Sequence, residues 1–108
     1  MQTPDQVVTQ IREVRAELMR GPQFLEDAEL AAERAEDAAQ LAADIALMGA
    51  EGSVPEKQAQ ARIASADERD AAFIARAKFN RVKTKIRALE SSLMSLQAEL
   101  KWMKEEGA

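Results

Sequence analysis

The sequence predicts an all-α fold: a long antiparallel helical hairpin of the coiled-coil type. Apolar residues recur at alternating steps of three and four along most of the chain, which is the heptad pattern of a coiled-coil seam. Ala provides 22 of the 108 residues, whereas Gly and Pro together provide seven, a composition typical of long helices. A cluster of turn residues at 49–53 separates two arms of similar length.

The first arm is predicted to begin at Thr3-Pro4-Asp5-Gln6, which combines a capping Thr, a Pro at the first helical position and a Gln at the capping-box position. The Gly21-Pro22 pair then interrupts the arm, because proline lacks an N–H and disfavours α geometry in the preceding residue. We therefore expect a kink or a short break there, with helices at about 4–20 and 22–48. The seam of this arm consists of Val7, Ile11, Val14, Leu18, Leu25, Ala28, Ala32, Ala35, Ala39, Ala42, Ala46 and Gly49.

The return arm is predicted to begin after the turn at 49–53, at a second capping box, Ser53-Val-Pro-Glu56. A single helix is expected over residues 54–105, and the whole chain, 1–108, is expected to form one domain. The apolar seam of the return arm consists of Phe79, Val82, Ile86, Leu89, Leu93, Leu96, Leu100 and Met103.

The two seams fit one register. Folding the chain back about the turn places residues whose numbers sum to about 103 or 104 in one layer. The expected layers include Val7 with Leu96, Ile11 with Leu93, Val14 with Leu89, Leu18 with Ile86, and Leu25 with Phe79. Antiparallel coils also pair their flanking charges, and the pairs expected here are Glu17 with Lys85, Arg15 with Glu90, and Glu29 with Arg76.

The alanine-rich half of the hairpin is predicted to need a further partner. Burial stabilises in proportion to apolar area, so alanine layers contribute little, and each arm carries a second apolar stripe that needs another neighbour. We expect hairpins to associate into a dimer or larger bundle. The predicted interface residues are Phe24, Ala31, Ala38, Leu41, Ile45, Ile63, Phe73, Ile74 and Trp102. The alternative is a lone hairpin whose alanines face solvent.

Acidic and basic residues are strongly segregated along the chain, although the formal net charge is only −4. Six basic residues and no acid lie between Ala71 and Leu89, while seven acids and one base lie from Glu26 to Asp44. A run of cations along a helix matches a phosphate backbone. The predicted nucleic-acid-binding residues are Arg20, Lys78, Arg81, Lys83, Lys85 and Arg87. The alternative is a solvated face, or one that meets the acidic stretch of a neighbouring subunit.

Trp102 lies away from the seam, between Lys101 and Lys104. Such a residue covers the apolar end of an oligomer or stacks on a base.

Catalysis is not expected, because the chain has no Cys and no His and so lacks the usual nucleophile and base. The acid pairs Glu26/Glu29, Glu33/Glu36 and Asp67/Asp70 are similar to those of helical magnesium-dependent nucleotide pyrophosphohydrolases, but a solvated helix face shows the same pattern. We expect no metal site, no cofactor and no small-molecule substrate. The chain also lacks an apolar run of the roughly 20 residues that a membrane span needs and an N-terminal signal pattern, so we expect a cytoplasmic protein that binds no membrane.

Two stretches of the sequence resemble small coiled-coil proteins of tailed bacteriophages and prophages. They are Ala50-Glu-Gly-Ser-Val-Pro-Glu-Lys-Gln-Ala-Gln-Ala, and the later helix with Lys83-Thr-Lys-Ile-Arg-Ala-Leu-Glu and Leu100-Lys-Trp-Met-Lys-Glu-Glu. The resemblance covers residues 25–106. It implies a gene placed among those of DNA replication and recombination, and a location in the host cytoplasm.

Two functions are therefore expected as alternatives. The first is that of a non-catalytic, oligomeric recombination accessory that binds single-stranded DNA or a recombination or replication protein, as recombination mediators do. The second is that of a protein-interaction module, an adaptor or an inhibitor of a host factor, that binds no nucleic acid.

Overall fold

The protein is a helical hairpin, as predicted. The computed structural model describes residues 2–107 and contains, within that range, three α-helices and no strand. Helix α1 spans Pro4–Gly49, α2 spans Val54–Ala64 and α3 spans Ala66–Gly107. α1 forms the first arm, and α2 with α3 forms the return arm. No helix in the described range is long and apolar enough to cross a membrane.

The predicted capping box at the start of α1 is present, and the one at the start of α2 is present in part, because Glu56 accepts from the Ser53 hydroxyl and not from its backbone N–H. At the start of α1, the backbone N–H of Gln6 donates to Thr3 Oγ1 over 3.2 Å, and the N–H of Thr3 donates to Gln6 Oε1 over 2.9 Å. At the start of α2, the N–H of Glu56 donates to Ser53 Oγ over 3.4 Å, while the Ser53 hydroxyl donates to the Glu56 carboxylate over 3.1 Å. The three bonds from backbone N–H groups satisfy donors at the helix ends that have no intrahelical partner.

Of the kink or short break predicted at Gly21-Pro22, the break is wrong, because α1 continues through both residues. Gly21 is buried in the seam, and a Cβ added there would lie 3.3 Å from Ile86 Cδ1. Pro22 is exposed. Because Gly21 has no side chain, Ile86 packs close to the α1 backbone. The helix tolerates the loss of the one backbone hydrogen bond that Pro22 cannot donate.

The turn at residues 50–53 reverses the chain where the sequence predicted. Gly52 has a φ of +114°, and a Cβ there would lie 2.5 Å from the Glu56 carboxylate. The positive φ favours glycine at this position, whereas the Glu56 carboxylate is the end of a flexible side chain and can move aside. The Gln60 side-chain amide donates to the Glu51 carbonyl over 2.9 Å and ties the turn to α2.

The return arm is interrupted at Ser65, so the single helix predicted over residues 54–105 is wrong. Ser65 separates α2 from α3 and is completely buried. Its hydroxyl donates to the Ala61 carbonyl over 2.8 Å, which is the local back-bonding that distorts helices. Arg69 Nη2 donates to the Arg62 carbonyl over 2.7 Å and satisfies an acceptor exposed by the interruption.

The chain divides into two compact units, which we call unit 1 and unit 2. Unit 1 joins the start of α1, up to Leu25, to α3 from Arg81 onward, and unit 2 comprises Glu26–Asn80. In unit 1, Val7, Ile11 and Gly21 are buried, and the remaining predicted seam residues are half-buried. In unit 2 the buried residues are Ala32, Ala39, Ala61, Ser65, Ala72 and Phe79. The seam therefore lies where the heptad pattern placed it.

Flanking ion pairs show which sides of the helices face each other within each unit. In unit 1, Lys85 Nζ lies 3.9 Å from the Glu17 carboxylate, as predicted. In unit 2, Arg76 pairs with Glu36 and not, as predicted, with Glu29. Glu36 lies seven residues after Glu29, so the pair remains on the predicted flank but is displaced by one heptad along α1. The third expected pair, Arg15 with Glu90, does not form within the described residues.

Candidate functional site

The predicted nucleic-acid-binding residues do not form a single site. Lys78 belongs to unit 2, whereas the other five belong to unit 1. Within unit 1, Lys85 pairs with Glu17, and Arg20 Nε donates to the Ala16 carbonyl over 3.4 Å. Arg81 and Arg87 are exposed and form no ion pair within residues 2–107. Of the predicted residues in unit 1, these two are the cations best placed to contact phosphates.

Arg81 and Arg87 lie on an exposed surface of α3 that we call the outer α3 face. Its residues are Arg81, Thr84, Arg87, Ala88, Ser91, Met94, Ser95, Ala98, Lys101 and Trp102, and all of them are exposed. They follow helical spacing on the side away from the seam. The acids of this segment, Glu90 and Glu99, flank the seam instead. The outer α3 face thus carries cations, hydroxyls and two large apolar side chains over about 31 Å.

Trp102 lies at the C-terminal end of the outer α3 face. Its side chain is 60% exposed, and the neighbouring Lys101 is also exposed. An exposed indole beside cations is the arrangement with which proteins stack unpaired bases. Met94, which is 72% exposed, lies two turns before Trp102 on the same face.

A cationic cleft on unit 1 was missed by sequence reasoning. Its lining is Val8, Ile11, Arg12 and Arg15 from α1, with Gln97, Leu100, Lys101 and Lys104 from α3, and its volume is about 350 Å³. Four cations surround an apolar floor, and no acid lines the cleft. The available signal was the i, i+3 spacing of Arg12 with Arg15 and of Lys101 with Lys104, which the antiparallel pairing brings together.

One side of the seam in unit 2 is charged. Arg76 Nε donates to the Glu36 carboxylate over 3.1 Å, and Arg76 Nη2 makes a second, short contact to the same group. The guanidinium also lies 5.3 Å from the Phe79 ring centroid, within the range of a cation–π contact. The hydrogen bonds from Arg76 lower the pKa of Glu36, and the same bonds raise the pKa of Arg76.

The opposite side of the unit 2 seam is apolar. Because Glu36 and Arg76 mark one flank, Ala31, Ala38 and Ile45, each one position before a seam residue of α1, lie on the other. Leu41 and Met48 lie beside them. All five are exposed, with Leu41 and Ile45 each about 60% exposed. We call these five residues, together with Ile74 of α3, the apolar flank.

The remaining predicted interface residues are also exposed. Ile63 and Phe73 lie on the outer side of the return arm in unit 2, and each is 77% exposed. Phe24, in unit 1, is exposed as well. Sequence reasoning did not include Met19, Leu30, Leu47, Val54 and Met94, which are further exposed large apolar residues. Unit 2 therefore exposes more large apolar side chains than it buries.

Two further findings bear on function. Within the described range, no group of three or more acids lies close enough to hold a metal ion. No protein-family model matches the chain, and neither the curated proteins nor the solved structures include a significantly similar chain.

Proposed function

We propose that this protein is a non-catalytic, self-associating accessory protein that binds single-stranded DNA along the outer α3 face. The proposed role resembles that of a phage recombination mediator, and the protein would act in the host cytoplasm. The supporting observation is that the outer α3 face combines exposed Arg81, Arg87 and Lys101 with exposed Met94 and Trp102 and carries no acid.

The residue types of the outer α3 face suit an unpaired strand better than a duplex. Cations attract phosphates whatever the sequence, and aromatic side chains stack on bases that have no partner. The length of about 31 Å from Arg81 to Trp102 allows several nucleotides to lie along the helix. Ser91 and Ser95, on the same exposed face, provide hydroxyl donors for phosphate oxygens.

Self-association through the apolar flank is the second part of the proposal. Leu41, Ile45 and Ile74 are exposed in unit 2, whose seam is built mainly of alanine. Contiguous exposed apolar surface marks an interaction site. A dimer or larger bundle would carry several outer α3 faces, and multivalent attachment would raise affinity for a long strand.

The DNA proposal is tested by titrating the protein with oligothymidine. Trp102 is the only Trp in the chain, so its fluorescence reports stacking directly. We expect quenching on binding, and an affinity that falls steeply between about 50 and 200 mM salt. The double variant Arg81→Glu/Arg87→Glu should bind at least about tenfold more weakly, because two phosphate contacts become repulsive.

A matched control is Arg34→Glu/Arg62→Glu, which makes the same change of charge in unit 2, where neither residue belongs to the outer α3 face, the cationic cleft or the apolar flank. It should retain most of the affinity. Absence of quenching and of binding at low salt would reject the DNA proposal, as would equal losses in the two variants.

A second candidate is a protein-interaction module without nucleic-acid binding, an adaptor or an inhibitor of a host factor. Unit 2 favours it, because Ile63 and Phe73 expose large side chains outside the apolar flank and so offer a surface to a partner even in a dimer. For this candidate, DNA leaves Trp102 fluorescence unchanged, and Phe73→Asp abolishes binding of the partner while self-association persists.

A further inference from the structure

The cationic cleft of unit 1 combines the two features that an amphipathic acidic segment needs in a docking site, an apolar floor and bordering cations. Ile11 is buried, and Val8 and Leu100 are half-buried, so they form a floor between α1 and α3. Arg12 and Arg15 border this floor on one side, and Lys101 and Lys104 border it on the other. An occupant that places an apolar side chain on the floor and carboxylates beside it would match both features.

The charges of the cleft are available to an occupant. Its four cations are exposed, and none of them forms an ion pair within the described part of the chain. No carboxylate lines the cleft. Cations of one sign gathered at an apolar groove raise the local concentration of anionic groups and steer their approach.

The chain itself carries a segment of the required chemistry in unit 2. Glu26, Leu30, Glu33 and Asp37 follow one another at steps of four, three and four on α1, so they lie along one line of the helix. All four are exposed. Leu30 thus projects from a row of acids, and we call these four residues the acidic row.

The formal charges of the two units support a copy of this chain as the occupant. Unit 1 contains nine basic and seven acidic residues, a balance of +2, and unit 2 contains six basic and twelve acidic residues, a balance of −6. Opposite net charges on two parts of one chain favour contact between unlike parts of two copies.

We infer that the cationic cleft of one copy binds the acidic row of a second copy, with Leu30 on the floor of Val8, Ile11 and Leu100. Glu26 and Glu33 then lie between the arginines of α1 and the lysines of α3. This contact is separate from the apolar flank and does not require DNA. It joins two different surfaces, so each copy offers both a cleft and a row.

Two full-length variants test the inference. The cleft variant is Arg12→Glu/Arg15→Glu, and the row variant is Glu26→Lys/Asp37→Lys. Each is labelled with donor or acceptor dye, and association is followed by energy transfer at low salt without DNA. The apolar flank is intact in both variants, so its contribution is the same in every pairing.

The expected result is that each variant associates with itself at least about tenfold more weakly than the unaltered protein, because like charges then face each other. A mixture of the two variants should recover the affinity, since opposite charges meet again, and high salt should remove the recovery. Self-association of the cleft variant at full strength, or a mixture that associates no better than either variant alone, would overturn the inference.

Controls keep the outcome separate from folding and from DNA binding. Glu51→Lys/Asp70→Lys changes the charge of unit 2 equally, and Arg81→Glu/Arg87→Glu changes that of unit 1 equally, but neither alters the cleft or the row. Both should associate like the unaltered protein. If a charge-reversed variant loses helical circular dichroism, Arg12→Gln/Arg15→Gln and Glu26→Gln/Asp37→Gln replace it, and each should weaken association.

Discussion

Units 1 and 2 close the same kind of seam with different residues. Unit 1 uses Val, Ile and Leu, whereas the buried residues of unit 2 are five small ones and Phe79. Small residues let helices approach closely but bury little apolar area. The difference explains why unit 2 keeps its large apolar side chains, such as Leu41 and Phe73, on the outside. Unit 1 is held by its own seam, and we propose that unit 2 is completed by a second copy.

The two units also differ in how closely their charged side chains form ion pairs. In unit 2, Glu36 and Arg76 form a two-point contact beside Phe79. In unit 1, Arg81 and Arg87 are exposed without such a partner in the described range. The Arg76–Glu36 pair thus serves orientation within the chain, whereas Arg81 and Arg87 are exposed to solvent.

The largest expected effect is at Phe79, the only large side chain buried in the described part of unit 2. Phe79→Ala should lower the free energy of unfolding by about 3–5 kcal/mol, because neighbouring alanines cannot fill the space. Urea unfolding followed by circular dichroism measures the loss. Phe73→Ala, which alters an exposed ring, is the control and should cost far less in dilute solution. A loss below about 1 kcal/mol at Phe79 would show that the seam of unit 2 is not closed as described.

An intermediate effect on stability is expected from replacing a buried alanine of the unit 2 seam with a larger residue. Ala32 is completely buried, so Ala32→Leu should destabilise by about 1–3 kcal/mol through overpacking. The neighbouring Ala31 is exposed on the apolar flank, and Ala31→Leu should leave the monomer nearly unchanged. The same unfolding experiment on both variants separates the two faces. Stabilisation by Ala32→Leu would indicate a loose seam and contradict the close approach.

The smallest effect concerns Glu36. Its pKa is lowered by hydrogen bonds from Arg76, so the carboxylate stabilises the fold above the ordinary carboxyl pKa, and this contribution disappears as the pH falls through the lowered value. Glu36→Gln should therefore be slightly less stable than the unaltered protein at neutral pH and equally stable in strong acid. Glu29→Gln is the control, and equal pH profiles for all three proteins would contradict the role of the pair.

Much of the fold was predictable, because heptad spacing, capping boxes and the 49–53 turn are local signals. Two features were not. Gly21-Pro22 has the composition of a helix break, but a continuous seam on both sides outweighs the cost of one proline, and Gly21 is needed for contact with Ile86. Ser65 lies in a good helical sequence, and its interruption of the arm depends on burial and back-bonding.

The candidate surfaces were predictable only in part. Exposure of Leu41, Ile45 and Phe73 follows from heptad spacing, and their place outside the seam is confirmed. Counting charges along the chain overestimated how available Lys85 is for binding phosphates, because its partner Glu17 lies in the other arm. It also missed Arg12 and Lys101, which are distant in sequence and meet only when the arms pair.

The central claim, that unit 1 is self-sufficient whereas unit 2 is completed by a second copy, is tested most directly by amide hydrogen exchange at several protein concentrations. Protection reports the local free energy of opening, and association stabilises only the unit that it covers. Amides of α1 from Glu26 to Gly49 should gain protection as the concentration rises, while those near Leu18 and Leu89, in the part of unit 1 outside the cationic cleft, should change little. Protection independent of concentration in both units would contradict the claim.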